Sequence, residues 1–249
     1  MKSVKFRMIA IALLSATMPF TAKAQDKVEA SVSADFVSNY IWRGTDCGGV
    51  SIQPSMGVSY KGLSLAAWGS VGIDKEDARE IDLTLGYNTG GFNVSVTDYW
   101  FSYHKEDGGY TGDYFKYGAH STIHIFEATL GYDFGPLALS WNTYFAGDDY
   151  TKENGDRAYS TYVGISAPFK LGGLDWSAEV GLTPWEGAYA NKFNVTNLTL
   201  KAEKEIKFTN SFSLPTFAQV TFNPHTQGAY FVFCLLYTSP SPRDGATSR

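Results

Sequence analysis

From residue 28 onward the chain alternates apolar and polar side chains with a period of two. In VSIQPSMGVSY (residues 50–60) the even positions are Val50, Ile52, Pro54, Met56, Val58 and Tyr60, and the odd ones are Ser51, Gln53, Ser55, Gly57 and Ser59. Successive side chains of a strand point to opposite faces, so this pattern specifies a strand with one apolar and one polar face. The first such segment carries Val28, Ala30, Val32, Ala34, Phe36, Tyr40 and Trp42 opposite Glu29, Ser31, Ser33, Asp35, Asn39 and Arg43. Ten more follow residues 50–60, built on 63–71, 81–87, 92–96, 126–134, 137–145, 159–169, 174–182, 198–202, 214–222 and 229–233. That makes twelve expected strands, and no stretch after residue 24 has a helical period.

The connections decide what kind of β protein this is. Residues 60–63, YNTGGF (87–92), DFGP (133–136), FKLGG (169–173) and KFTNSF (207–212) are short turns. Between them lie longer charged loops: DKEDARE (74–80), HKEDGGYTGDYFKYG (104–118), AGDDYTKENGDR (146–157) and EGAYANK (186–192). Short turns at one end and long polar loops at the other are the layout of a transmembrane β-barrel, whereas a soluble sandwich or lipocalin-like barrel has no reason to sort its loops. Tyr40, Trp42, Tyr60, Tyr87, Trp100, Tyr132, Phe134, Phe169 and Trp185 fall at strand ends, as membrane-interface aromatics do. The expected fold is an all-β transmembrane antiparallel barrel of about twelve strands over residues 25–233, with both termini periplasmic. Lipid demands such closure, because an open edge would leave backbone groups unpaired.

The N-terminus reads as an export signal. Lys2, Lys5 and Arg7 precede an apolar run from Met8 to Phe20, too short to span a bilayer as a helix, and Ala22-Lys23-Ala24 supplies a cleavage site. Residues 1–24 are thus expected to be a signal peptide. The whole chain carries a net charge of -5, and the signal holds four basic residues, which leaves -9 on residues 25–249. An acidic exported chain is not expected to bind nucleic acid.

One stretch is distinctive. SADFVSNYIWRGTDCGG (33–49) resembles the first strand of the TorF-type porin family, outer-membrane barrels of Gram-negative bacteria, through Asp35, Phe36, Val37, Ser38, Tyr40, Trp42, Arg43 and Gly44. The resemblance implies an outer-membrane barrel of porin type and brings neither an established substrate nor catalytic residues. Such a chain should end on an aromatic residue.

This one does not. CLLYTSPSPRD (234–244) resembles a transposon-end sequencing adapter translated in this frame, so residues 234–249 are expected to be a non-native tail. Its Pro240 and Pro242 cannot pair in a barrel, and residues from about Thr238 are expected to hang disordered, although the alternation runs on by accident through Leu235 and Tyr237. Cys234 then belongs to the tail, Cys47 stands alone, and no disulfide is expected.

Candidate chemistry is sparse. His120 beside Ser121, with Glu127 to orient the imidazole, is the arrangement of a barrel lipid hydrolase, but adjacent residues of a strand face opposite sides. His120 and His124 would lie roughly 13 Å apart along a strand, too far to share a metal. The acidic loops lack calcium-loop spacing, so neither metal, cofactor nor enzymatic activity is expected. The polar faces carry the pore-lining candidates Glu29, Asp35, Arg43, Glu80, Asp82, Glu127, Asp175, Glu179, Lys201 and Glu203. These residues either pair across strands as a plug or line a narrow water-filled pore with a weak cation preference. The reading that follows is an outer-membrane, porin-like channel for small hydrophilic solutes, set in outer-membrane lipid by the barrel-assembly machinery. The alternatives are a barrel lipid hydrolase and a structural or adhesive barrel.

Overall fold

A computed structural model describes residues 27–105, 109–209 and 213–238. The expected signal peptide lies outside the described residues, as do residues 239–249 of the stretch expected to be disordered from about Thr238; Thr238 itself ends β14, paired with Ser33. Among the described residues fourteen strands are formed: β1 (Glu29–Val37), β2 (Tyr40–Trp42), β3 (Thr45–Gly48), β4 (Ser51–Tyr60), β5 (Leu63–Gly72), β6 (Arg79–Thr89), β7 (Phe92–Ser102), β8 (Ile125–Asp133), β9 (Ala138–Gly147), β10 (Thr161–Leu171), β11 (Leu174–Thr183), β12 (Asn194–Lys207), β13 (Ser213–Asn223) and β14 (Gly228–Thr238). Twelve of them close into an antiparallel barrel in the order β1-β14-β13-β12-β11-β10-β9-β8-β7-β6-β5-β4. These are the twelve segments that the alternation marks.

The barrel is polar inside and apolar outside. Val32, Met56 and Leu65 are each more than half exposed on the outer wall, while Ser70, Asn142 and Thr221 are buried toward the lumen. Polar lumen residues of neighbouring strands satisfy each other, as in Ser33–Ser55 at 2.5 Å, Thr84–Thr97 at 3.0 Å, Thr129–Asn142 at 2.9 Å and Thr199–Thr221 at 2.8 Å. The short turns all lie at the end where β1 begins and β14 finishes. The other end holds the longer connections, with 224–227 as its one short exception. A ten-residue strand at about 3.3 Å per residue, tilted by roughly 40°, covers about 25 Å along the barrel axis, the height of an outer-membrane apolar band.

The expected first strand is corrected at its end. It stops at Val37 rather than running on to Trp42, and the chain turns inward at Ser38 and Asn39. Strands β2 and β3 pair only with each other, joined by Arg43 and Gly44. Both turn residues have left-handed φ values, 52° and 80°, as a type I′ hairpin turn requires. At Gly44 that freedom is compulsory, because a Cβ there would sit 1.9 Å from the Thr196 carbonyl oxygen. Tyr40 and Trp42 therefore lie in a hairpin inside the barrel instead of facing the membrane interface, and Arg43 stands at its tip instead of on the wall.

The seam between β1 and β14 closes the barrel. Its register pairs Val37 with Cys234, Phe36 with Leu235, Asp35 with Leu236, Ala34 with Tyr237 and Ser33 with Thr238. Ser38 adds two bonds to Phe233, one from its backbone N–H to the Phe233 carbonyl and one from the Phe233 N–H to its hydroxyl, each 2.9 Å. The β14 side of the seam ladder is thus residues 234–238, part of the expected tail. Backbone pairing is indifferent to side-chain identity, and CLL keeps the alternation, with Cys234 buried inward and Leu235 on the outer wall. Truncation after Phe233 is expected to abolish closure, seen as loss of the heat-dependent mobility shift in gel electrophoresis. A different alternating pentapeptide at 234–238 is expected to restore it.

Candidate functional site: a hairpin within the lumen

The hairpin crosses the lumen in the half nearer the long loops, and its tip carries a dense set of buried polar contacts. The Arg43 guanidinium binds the Glu127 carboxylate of β8 through both oxygens, at 2.5 and 2.9 Å. It also donates to the Tyr189 hydroxyl at 2.6 Å, and Tyr99 of β7 donates to Glu127 at 3.0 Å. Arg43 stacks over Trp42 at 4.3 Å and Tyr162 at 4.8 Å. Both partners of the ion pair are almost wholly buried. Burial alone would lower the Arg43 pKa, but Glu127 and then Tyr189 outweigh it and hold the group well above its ordinary value.

Further contacts fix the hairpin to the opposite walls. Asn223 at the end of β13 donates to the Gly44 carbonyl at 3.0 Å. Ile41 packs with Val37, Val232 and Cys234, while Tyr40 stacks on Trp68 of β5 at 5.5 Å. Tyr99, Tyr144, Tyr162 and Tyr189 form a buried aromatic cluster around the tip, against which Trp42 packs. Tyr162 donates to Glu179 at 2.5 Å, and Asn197 donates to both, at 2.9 and 3.1 Å. At this level these rings touch one another around the hairpin tip.

Beside the hairpin, Glu80 and Asp82 face inward at alternate positions of β6 with the Tyr40 hydroxyl against Glu80. Both are buried, and Asp82 Oδ1 has no hydrogen-bond partner. Of the other pore-lining candidates, Glu29 and Asp35 lie on the inner face of β1, Asp175 on that of β11, and Lys201 and Glu203 on that of β12. Lys170 pairs with Asp175 and Lys201 with Glu203. Among the described residues, Glu80, Asp82 and Glu179 have no cationic partner within ion-pair distance. Of the expected interface aromatics, Tyr60, Tyr87, Tyr132, Phe134 and Phe169 stand exposed at the short-turn end and Trp185 toward the long loops, where Trp100 is half-buried.

The hydrolase constellation is not assembled. His120 sits in the loop before β8 with φ 64° instead of on a strand, and the Ser121 hydroxyl donates to the Gly118 carbonyl. Glu127 faces the lumen and is held by Arg43. Cys47 and Cys234 are both free thiols. Among the described residues no group of three potential metal ligands comes together. No family model matches the chain, and no curated protein matches it.

The aromatic cluster and the latch partners Asn223 and Thr196 escaped the sequence reading. One signal was available: Ser38-Asn39 interrupts the alternation just before an Arg-Gly pair flanked by β-forming residues, which is a hairpin pattern.

Removing one partner of the buried pair is expected to be costly. Glu127→Gln leaves Arg43 charged and buried, and should destabilise the hairpin by about 3–5 kcal/mol, whereas Arg43→Met with Glu127→Leu should be milder than either change alone. The readout is Cys47. Burial, then Glu80 and Asp46, push its thiol up to about 12, so it should react slowly with methanethiosulfonate reagents until the hairpin is released.

Proposed function

We propose that this chain is an outer-membrane barrel of a Gram-negative bacterium that passes small hydrophilic solutes by passive diffusion, with the β2–β3 hairpin restricting its lumen. The observation that carries the reading is the inverted barrel: a closed wall of outward apolar residues around an interior of serine, threonine, asparagine and charged side chains. Such a wall buries its apolar face only against lipid, and closure leaves no unpaired edge. The exposed aromatics at both ends fit interfacial girdles.

The polar lumen supports a solute path and not a dry core. Twelve strands enclose more than the side-chain-filled interior of an eight-stranded barrel and less than a sixteen-stranded porin, and the hairpin occupies part of that section. Lumen carboxylates outnumber their cationic partners, which favours cations weakly. The TorF-type resemblance in residues 35–44 points the same way, and the reading includes export by a signal peptide and insertion by the barrel-assembly machinery.

Single-channel recording in planar bilayers tests this, on a chain whose seam strand ends in an aromatic residue. Small stepwise conductances are expected, with cation preference at low salt that fades as ionic strength screens the carboxylates. Gly44→Ala should raise conductance. Backbone strain of about 1–3 kcal/mol there shifts the docked hairpin by roughly 5- to 150-fold toward release. A folded, inserted barrel without conductance, in wild type and in Gly44→Ala, would favour a structural or adhesive role. Lipid turnover abolished by His120→Ala would favour the hydrolase.

A further inference from the structure

Among the described residues, the outer wall carries one carboxylate out of place. On β7 the even positions face outward, with Phe92, Val94 and Val96 exposed and Thr97 and Tyr99 buried toward the lumen. Asp98 continues the outward row, between Val96 and Trp100. A bare carboxylate on such a wall would be unfavourable in lipid.

The loop between β7 and β8 covers it. His124 is completely buried, with Nδ1 2.6 Å from Asp98 Oδ1 and Nε2 2.7 Å from the Tyr114 carbonyl oxygen. The Tyr117 hydroxyl donates to the other Asp98 oxygen at 3.3 Å. Tyr117 lies over the His124 ring at 4.3 Å, and Tyr114 packs edge-on against Trp100 at 5.4 Å. Trp100 and Phe126 belong to the outward faces of β7 and β8, so the turn around residues 113–117 rests on the outside of the wall and not over the lumen mouth. At its crest Phe115 is almost fully exposed, at 89%, next to Lys116.

We infer that this turn is a lipid anchor: Asp98 and His124 latch it to the wall so that Phe115 and Tyr117 enter the headgroup–acyl boundary of the leaflet on the long-loop side. The inference rests on the membrane-barrel reading above. Three observations select lipid as the occupant. The turn continues an aromatic rim that runs along the wall from Trp100 through Phe126 and Phe145. Its composition, aromatic rings flanked by Asp113 and Lys116, suits a boundary that is apolar on one side and wet on the other. And the exposed ring sits beside a stretch of wall on which Val96, Leu130 and Phe145 are exposed.

A spin label at Phe115→Cys, in the full chain with Cys47→Ser and Cys234→Ser, reports the environment in phospholipid vesicles by collision with oxygen or with a water-soluble nickel complex. A second label at Met56→Cys, on the outer wall of β4, reports whether the barrel is inserted at all. Expected are collision rates higher for oxygen than for nickel at both sites. His124→Ala should reverse the ratio at position 115 and leave position 56 unchanged. A lipid-exposed position 56 with a nickel-accessible position 115 overturns the anchor and leaves the barrel reading intact. Water exposure at both sites is a failure of the barrel reading itself, and of the anchor with it. Spin–spin broadening at position 115 alone would replace lipid by a second copy of the chain and overturn the inference. An unchanged ratio in His124→Ala would overturn the latch.

Discussion

The structure depends on the closure of its backbone hydrogen-bond ladder. Each strand presents its N–H and C=O groups sideways, and a strand with one neighbour leaves a row of them unpaired, so every strand needs two neighbours. Twelve strands meet that need only because β1 pairs with both β4 and β14. The five residue pairs of the β1–β14 ladder therefore carry more of the fold than their number suggests. The ladder asks little of side chains there beyond alternation.

Closure creates the second problem, a lumen that must be filled, wetted or both. The wall answers with small polar residues that bond across strands, and the hairpin answers with bulk. Its tip is a buried charged group and its flanks are aromatic, an arrangement that is stable only while every polar atom finds its partner. Arg43 finds Glu127 and Tyr189, and the Gly44 carbonyl finds Asn223. Asp82 Oδ1 does not, and it lies where the proposed solute path would pass, beside the hairpin and among unpaired carboxylates.

The same rule operates on the outer wall. Asp98 breaks the apolar row of β7, and the following loop folds back to cover it. Polar groups that interrupt an otherwise regular pattern mark the two places where the chain does something other than continue the barrel: the lumen hairpin after Val37 and the wall-bound turn before β8.

Strand number, the inward and outward faces, and the sorting of loops between the two ends were legible in the sequence, because period-two alternation and turn composition are local properties. So were most of the outward aromatics and the lumen positions of the acidic residues. The inward fold of the hairpin was not. Ser38-Asn39 and the Arg-Gly pair hint at a hairpin, but nothing local says whether it turns into the lumen or away from it. That choice rests on partners distant in sequence, with Glu127 84 residues and Tyr189 146 residues from Arg43. Asp98 and His124 are likewise unremarkable until β7 and β8 lie side by side. Which residues meet across a barrel depends on strand count, tilt and register together, and only the assembled wall supplies those.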